Sequence, residues 1–163
     1  MEKFNLFEWS KSEVIFVSVV LLCVFGISFY QIKIGEMKTR DLQRRTDLDL
    51  LSRALRQYKY DVGVYPLEAT GSGKIYACGD KGEGTCEWNH GPLIGPDNTI
   101  YLNKLPGDPK LDFGRTYIYE ANEKRNQFRI YAALENQRDK KVVKPGLTKE
   151  CGMRVQCNWY VEE

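Results

Sequence analysis

The stretch that decides the fold runs from Val14 to Tyr30, VIFVSVVLLCVFGISFY, and carries neither a charge nor a proline. As a helix rising ~1.5 Å per residue it spans about 26 Å, close to the ~30 Å hydrocarbon thickness of a bilayer. Gln31 and Ile32 extend it before Lys33 reaches the interface, and Phe29 and Tyr30 supply an aromatic edge. A cleavable secretory signal would place small residues before the cut and a polar start after it. Here Gly26, Ile27 and Ser28 lead into Phe29 and Tyr30, so the segment is predicted to be a retained anchor.

The helix is predicted to continue well beyond the anchor. No proline occurs between Met1 and Tyr65, and Lys33 to Tyr60 is composed mostly of strong helix formers. Gly35 is the weak point, and Gly63 with Pro66 supplies the stop, giving a helix from about Glu13 to Tyr60. Leu48, Leu51, Leu55, Tyr58 and Val62 recur at steps of three and four, with Leu50 and Ala54 widening the stripe. Further back the same face carries Asp41, Arg44 and Arg45. The apolar stripe breaks there, which predicts a solvated or partner-facing stalk. The Arg40, Arg44 and Arg45 cluster reads first as a solvated helix face. Contact with lipid headgroups or with a neighbouring subunit's acidic face comes second. Nucleic acid comes last, because no stacking aromatics are interleaved with these arginines.

A chain of 163 residues accommodates one ordinary domain plus an appendage. Hydrophobic residues at 42% exclude a polytopic membrane protein, and the +2 net charge argues against a dedicated nucleic-acid binder. The expected organisation is a short N-terminal segment (1–13), a transmembrane helix (14–32), an amphipathic helix (33–62) and a globular head (63–163). After Pro66 the head begins with a glycine-rich loop region reaching to about Pro96. Strands are expected at Ile100–Leu102, Thr116–Tyr119, Gln127–Leu134 and Asn158–Val161, where β-branched and aromatic residues concentrate. Tyr117 and Tyr119 share one face. Phe128, Ile130 and Ala132 share another, opposite Tyr131 and Ala133. The fold class is α+β: a long N-terminal helix packed on a small antiparallel sheet, with one sheet face buried and the other wet.

Of five cysteines, Cys23 sits inside the apolar run and reads as a packing residue. Cys78, Cys86, Cys151 and Cys157 form an even set, for which disulfides are the expected use in an exported domain. Among the three possible pairings, proximity favours Cys78 with Cys86 and Cys151 with Cys157. Neither pair has zinc-ligand spacing, and no Cys-x-x-Cys redox motif occurs. The flanking charges point the other way. Lys33, Lys38, Arg40, Arg44 and Arg45 outnumber Lys3 and Lys11, which read literally would keep the head in the cytoplasm. That rule weakens for long domains, and the cysteines favour a head outside, with the conflict between the two signals left open.

Signatures of catalysis are missing. There is no Gly-x-Ser-x-Gly, no His-Glu-x-x-His and no dinucleotide-binding glycine pattern. Ser72-Gly73-Lys74 lacks the first glycine of a phosphate loop and a preceding strand, and His90 reads as a surface residue. The expectation is a non-enzymatic protein without a cofactor.

Several motifs then fall into one pattern. After the apolar helix come Arg40-Asp41, Arg45, Asp47-Leu48, Leu51, Ala54-Leu55, Tyr58 and Gly63-x-Tyr65-Pro66. Tyr101-Leu102, Leu105-Pro106, Asp108-Pro109, the two tyrosine-rich strands and Leu134-Glu135-Asn136 follow. This arrangement resembles the type IV pilin and type II secretion pseudopilin superfamily, closest to the major pseudopilin type, over roughly residues 13–136. The resemblance implies a lollipop-shaped subunit whose partners are copies of itself in a helical filament. It also implies the membrane and an inner-membrane assembly platform with a cytoplasmic ATPase, the head lying outside the cytoplasm. Glu13 matches the family's assembly glutamate, which pairs with the amine freed when a peptidase cuts at a Gly-Phe junction. Counting back places Glu8-Trp9 at that junction, without the glycine. The resemblance further brings calcium into view, with Asp97, Asp108, Asp112, Glu135 and Asp139 as candidates, although they form no ligand series and turn or surface roles are favoured. Two other readings stand beside the filament subunit. One is a single-pass anchored receptor that never polymerises. The other is a minor pilin whose head binds a ligand through aromatics such as Trp88 and Trp159.

Overall fold

A computed structural model describes residues 10–137, 144 and 146–163. The chain divides into two compact units, Met1–Met37 and Lys38–Glu163. Helix α1, Lys11–Val62, passes from the first unit into the second without interruption. In the first unit every large apolar side chain from Val14 to Ile32 is exposed or nearly so, Phe16 at 69% and Leu22 at 72%. By length and composition this helix is able to cross a membrane.

In the second unit α1 buries one face, formed by Asp41, Arg44, Leu48, Leu51, Ser52, Ala54, Leu55 and Tyr58. The spacing is that of a helix stripe, and the stripe continues back through two charged residues instead of breaking. Leu50, expected to widen it, is instead exposed at its rim. The helix ends where Gly63 takes a left-handed conformation (φ 89°) and its N–H donates to the carbonyl of Lys59 at 2.8 Å.

Among the described residues the head carries seven short strands. β1 (Leu67–Ala69) and β2 (Lys74–Tyr76) form one antiparallel hairpin, and β3 (Leu93–Ile94) pairs with β4 (Ile100–Leu102) in another. The third sheet has the order β5 (Ile118–Ala121), β6 (Phe128–Ala132), β7 (Trp159–Glu162), all antiparallel. Its register places Tyr119 opposite Ile130, and Ile130 opposite Val161.

One core fills the space between α1 and the sheets. It contains Leu48, Leu51, Leu55, Tyr65, Ile75, Leu93, Leu105, Tyr117, Tyr119, Phe128 and Ile130. The ring of Tyr65 meets Phe128 edge-on at 4.7 Å, and Trp88 meets Tyr117 at 5.7 Å. Trp88 is thus a core residue.

The opposite face of the three-stranded sheet was expected to be wet. It is covered instead. Tyr131 and Ala133 pack with Cys151 and Cys157 in a second cluster, against which Ile118, Leu147, Val155 and Tyr160 lean. The covering loop docks tightly. Gly152 sits at φ 144°, and a Cβ there would lie 2.3 Å from the carbonyl oxygen of Gly114, so no larger residue fits. The architecture is α+β, a long helix packed on small antiparallel sheets.

Candidate functional site

Two places on α1 concentrate polar chemistry. The first is its N-terminus. Ser10 is the N-cap, and its N–H donates to Oε2 of Glu13 at 2.8 Å. In return the N–H of Glu13 donates to Oγ of Ser10 at 3.4 Å. The two residues form a reciprocal capping box, in which Glu13 holds the Ser10 N–H while its own N–H also meets the Ser10 carbonyl at 3.1 Å. Sequence reasoning placed Glu13 at the helix start and missed Ser10. The signal was there to be read, a Ser-x-x-Glu directly before an apolar run.

The second place is the first two turns of α1 inside the head. Arg44 is fully buried, although its cluster was expected to be a solvated face. Its Nε and Nη2 donate to the two carboxylate oxygens of Asp108 at 2.7 and 2.9 Å, a bidentate fork. Its Nη1 donates to Asp41 at 2.8 Å and to Glu135 at 2.9 Å. Arg40 binds Glu135 with Nε and Nη2 at 2.9 and 2.7 Å, and Nζ of Lys110 adds a third cation at 3.0 Å. Asp41 also accepts the backbone N–H groups of Glu135 and Asn136, each at 2.8 Å. Beside this cluster the hydroxyl of Tyr117 donates to Asp47 at 2.8 Å.

The expectation of a stalk open to solvent or partners at Arg44 is therefore corrected. Arg45 is half-buried, and Arg40 faces Glu135 within its own chain. The physical reason is that two carboxylates from distant segments, Asp108 and Glu135, converge on the helix beside its own Asp41, and the three replace the water a guanidinium requires. Burial works against the charged form of Arg44, but Asp108, Glu135 and Asp41 overcome it and hold its proton more tightly than usual. Burial likewise pushes the Glu135 carboxyl up, while Arg40, Lys110 and Arg44 pull it well below the ordinary carboxylate range. Asp47 moves the other way, raised chiefly by burial.

The motif pieces noted in the sequence acquire a common role here. Arg40-Asp41, Leu105-Pro106 with Asp108-Pro109, and Leu134-Glu135-Asn136 meet at one point. Leu105 enters the apolar core, and Asp108 beside it holds Arg44. Of the calcium candidates, Asp108 and Glu135 are thus occupied by cations of the chain itself. Asp97 accepts from the Thr99 N–H and hydroxyl at 3.1 and 2.7 Å, Asp112 is exposed in the short 3-10 helix Leu111–Phe113, and Asp139 lies outside the described residues. Among the described residues no three His, Cys, Asp or Glu side chains are grouped to hold a metal ion.

Cys78 is bonded to Cys86 and Cys151 to Cys157, and Cys23 is a free, exposed thiol on the apolar half of α1. His90 is exposed.

A single apolar helix running into a head of this layout, locked at its first turns by a buried arginine, defines a pilin-like subunit. The chain belongs to the family described as Type II secretion system (T2SS), protein G, the major pseudopilin, which matches residues 34–141. The match takes in the whole Arg44 cluster and the Cys78–Cys86 loop. It stops short of the Cys151–Cys157 loop and β7. No curated protein and no solved structure matches the chain.

Proposed function

We propose that this chain is the repeating subunit of a type II secretion pseudopilus or a related type IV pilus-like filament. Its apolar helix anchors it in the inner membrane before assembly and supplies the filament's central bundle afterwards. The observation that carries this reading is the exposed apolar half of α1, continuous with a head of the pseudopilin family. Among the described residues nothing buries that surface, so lipid and then neighbouring helices are its natural surroundings. A contact that does not close on itself generates a helical array. The partners are other copies of the chain and an inner-membrane platform driven by a cytoplasmic ATPase. The pseudopilin family is structural, and the subunit is expected to catalyse nothing.

The head lies on the outer side of the membrane in this reading. Support comes from the two closed disulfides, which persist in oxidising compartments. The test is intact mass under non-reducing conditions on material sheared from cells that carry the secretion machine. The full head with four thiol hydrogens missing is expected in the sheared or periplasmic filament fraction. A chain found solely as a membrane monomer would support the anchored receptor reading, which the glycine-free Glu8-Trp9 junction favours. Reduced head cysteines would overturn the orientation.

A further inference from the structure

We infer that the head seats on the membrane surface through an apolar tip made by Phe113 and Met153, flanked by Lys110 and Arg154, while the subunit is anchored and not yet assembled. This rests on the anchor in the proposed function and not on polymerisation.

Two loops meet to make the tip. Leu111–Phe113 is a single 3-10 turn, closed by Gly114 in a left-handed conformation (φ 76°). Arg115 pairs with Gly152 in an isolated antiparallel bridge, and the Thr116 N–H donates to the Cys151 carbonyl at 2.9 Å. The next pair out from that bridge is Gly114 and Met153, which makes Phe113 and Met153 neighbours. The chain then reverses, the Val155 N–H donating to the Gly152 carbonyl at 3.1 Å. Met153 and Arg154 take the two central positions of this turn, where glycine, asparagine and aspartate are usual. Arg154 holds a left-handed conformation there (φ 59°), which a residue with a side chain adopts only at a cost. The Cys151–Cys157 disulfide closes the base of the loop. Phe113 is 83% exposed and Met153 86%, so the head holds two large apolar side chains in water on adjoining, well-fixed loops. Met153 and Arg154 lie beyond the residues matched by the family, so the tip belongs to this chain in particular.

The tip sits at the end of the head nearest the anchor in sequence. Asp108 grips Arg44, and Lys110 shares Glu135 with Arg40. Arg40 follows Ile32, the end of the expected anchor, by eight residues. Such a tether reaches no further than ~29 Å even when fully extended, whatever direction the head takes. It turns a weak interfacial contact into an intramolecular one, so two apolar side chains suffice where a free protein would need more. Arg154 is exposed and Lys110 partly so, which offers cations to lipid phosphates, with Asp112 and Glu150 as the opposing exposed acids.

The test uses the full-length chain in nanodiscs of phosphatidylcholine and phosphatidylglycerol, with lipids brominated near the top of their acyl chains as a contact quencher. Phe113→Trp and Met153→Trp report on the tip. Tyr60→Trp, as exposed as they are but ~30 Å further along α1 than Arg40, is the control. Subtracting the wild-type signal removes Trp9, Trp88 and Trp159. All three replaced side chains are exposed, so the core is left as it was. The signals added by Phe113→Trp and Met153→Trp are expected to fall about twofold with brominated lipid, against about a tenth for Tyr60→Trp. Leaving out phosphatidylglycerol is expected to weaken the quenching, because Lys110 and Arg154 then lose anionic partners.

Equal quenching at all three positions, or none at the two tip positions, would overturn the inference. So would shielding of the tip from a water-borne quencher that arises only in the assembled filament fraction, since a second copy would then be its occupant. Failure of the pseudopilin reading looks different. Wild type would be missing from the filament fraction while the tip is still quenched in nanodiscs. A chain that does not enter nanodiscs at all would overturn the anchor, and this contact with it.

Discussion

Between Val14 and Ile32 helix α1 exposes large apolar side chains on all sides, whereas between Asp41 and Tyr58 its apolar residues withdraw to one face and even an arginine is fully buried. Both halves share one backbone hydrogen-bond pattern, so the difference lies in what each half has left to gain. The second half has already removed its apolar surface from water, at roughly 25 cal/mol per Å². The first half has not, and its surface remains available to lipid or to other helices. Exposure that would be a defect in a soluble domain is the functional property of this half.

The sharpest way to break that comparison is at Arg44. Arg44→Ala leaves Asp41, Asp108 and Glu135 together with part of their compensation gone. The expected cost is about 3–5 kcal/mol of head stability, measured by urea unfolding of the full chain in micelles with Trp88 fluorescence as the probe. Arg44→Glu should unfold the head as well, so an assembly defect in that variant would say nothing about subunit contacts. An unchanged midpoint in Arg44→Ala would mean that the ion pairs do not hold the helix to the head.

Next comes the same deletion made once in each half. Leu48→Ala, in the core, should cost about 2–5 kcal/mol, while Leu22→Ala should leave head unfolding within about 0.5 kcal/mol of wild type. Equal effects would show that the halves are not energetically distinct. Replacing Cys78 with Cys86, or Cys151 with Cys157, by alanine pairs should cost about 2–3 kcal/mol each, read as the shift between oxidised wild type and variant. A loss confined to the Cys78–Cys86 variant would mark the Cys151–Cys157 loop as an attachment and not part of the head's cooperative unit.

The smallest effect is a pH dependence. Glu135 has its folded-state pKa depressed below the unfolded value, so its stabilisation is complete above the ordinary carboxylate range and is lost as pH falls through the depressed folded value. The stability difference between wild type and Glu135→Gln should therefore stay constant from about pH 8 to pH 5 and shrink only below about pH 4. A difference that already declines between pH 7 and pH 5 would show that the cations around Glu135 are not holding it ionised.

Much of this architecture could be read from sequence because it is local. An uncharged apolar run, a helix stripe at steps of three and four, and a glycine stop each declare themselves within a few residues. Alternating aromatics did the same for β5 and β6, and β4 and β7 fell close to where they were expected. The strands β1, β2 and β3 were not legible. They hold two or three residues each, and Gly71 and Gly73 make their surroundings look like loop.

The arginine cluster was misread for a different reason. A charged residue on a helix is exposed unless paired, and the partners of Arg44 lie far away in sequence. Periodicity places Arg44 on the buried face but gives no hint that Asp108 and Glu135 will arrive there. Ser10 is the opposite case, a local signal that sat beside Glu13 and was passed over.

The sequence distances inside the Arg44 cluster also impose an order of events. Asp108 stands 64 residues after Arg44, and the Asn136 N–H that Asp41 accepts stands 95 residues on. During synthesis the apolar half of α1 is made first, and Asp41 and Arg44 follow it with none of their distant partners yet made. The lock closes only when Asn136 has been made, so the head is committed late by a chain closure whose entropy must be met before the contact returns anything. Until then the buried face of α1 is incompletely covered, and a chain halted before Asp108 leaves Arg44 with Asp41 alone of the three carboxylates that hold it in the finished head.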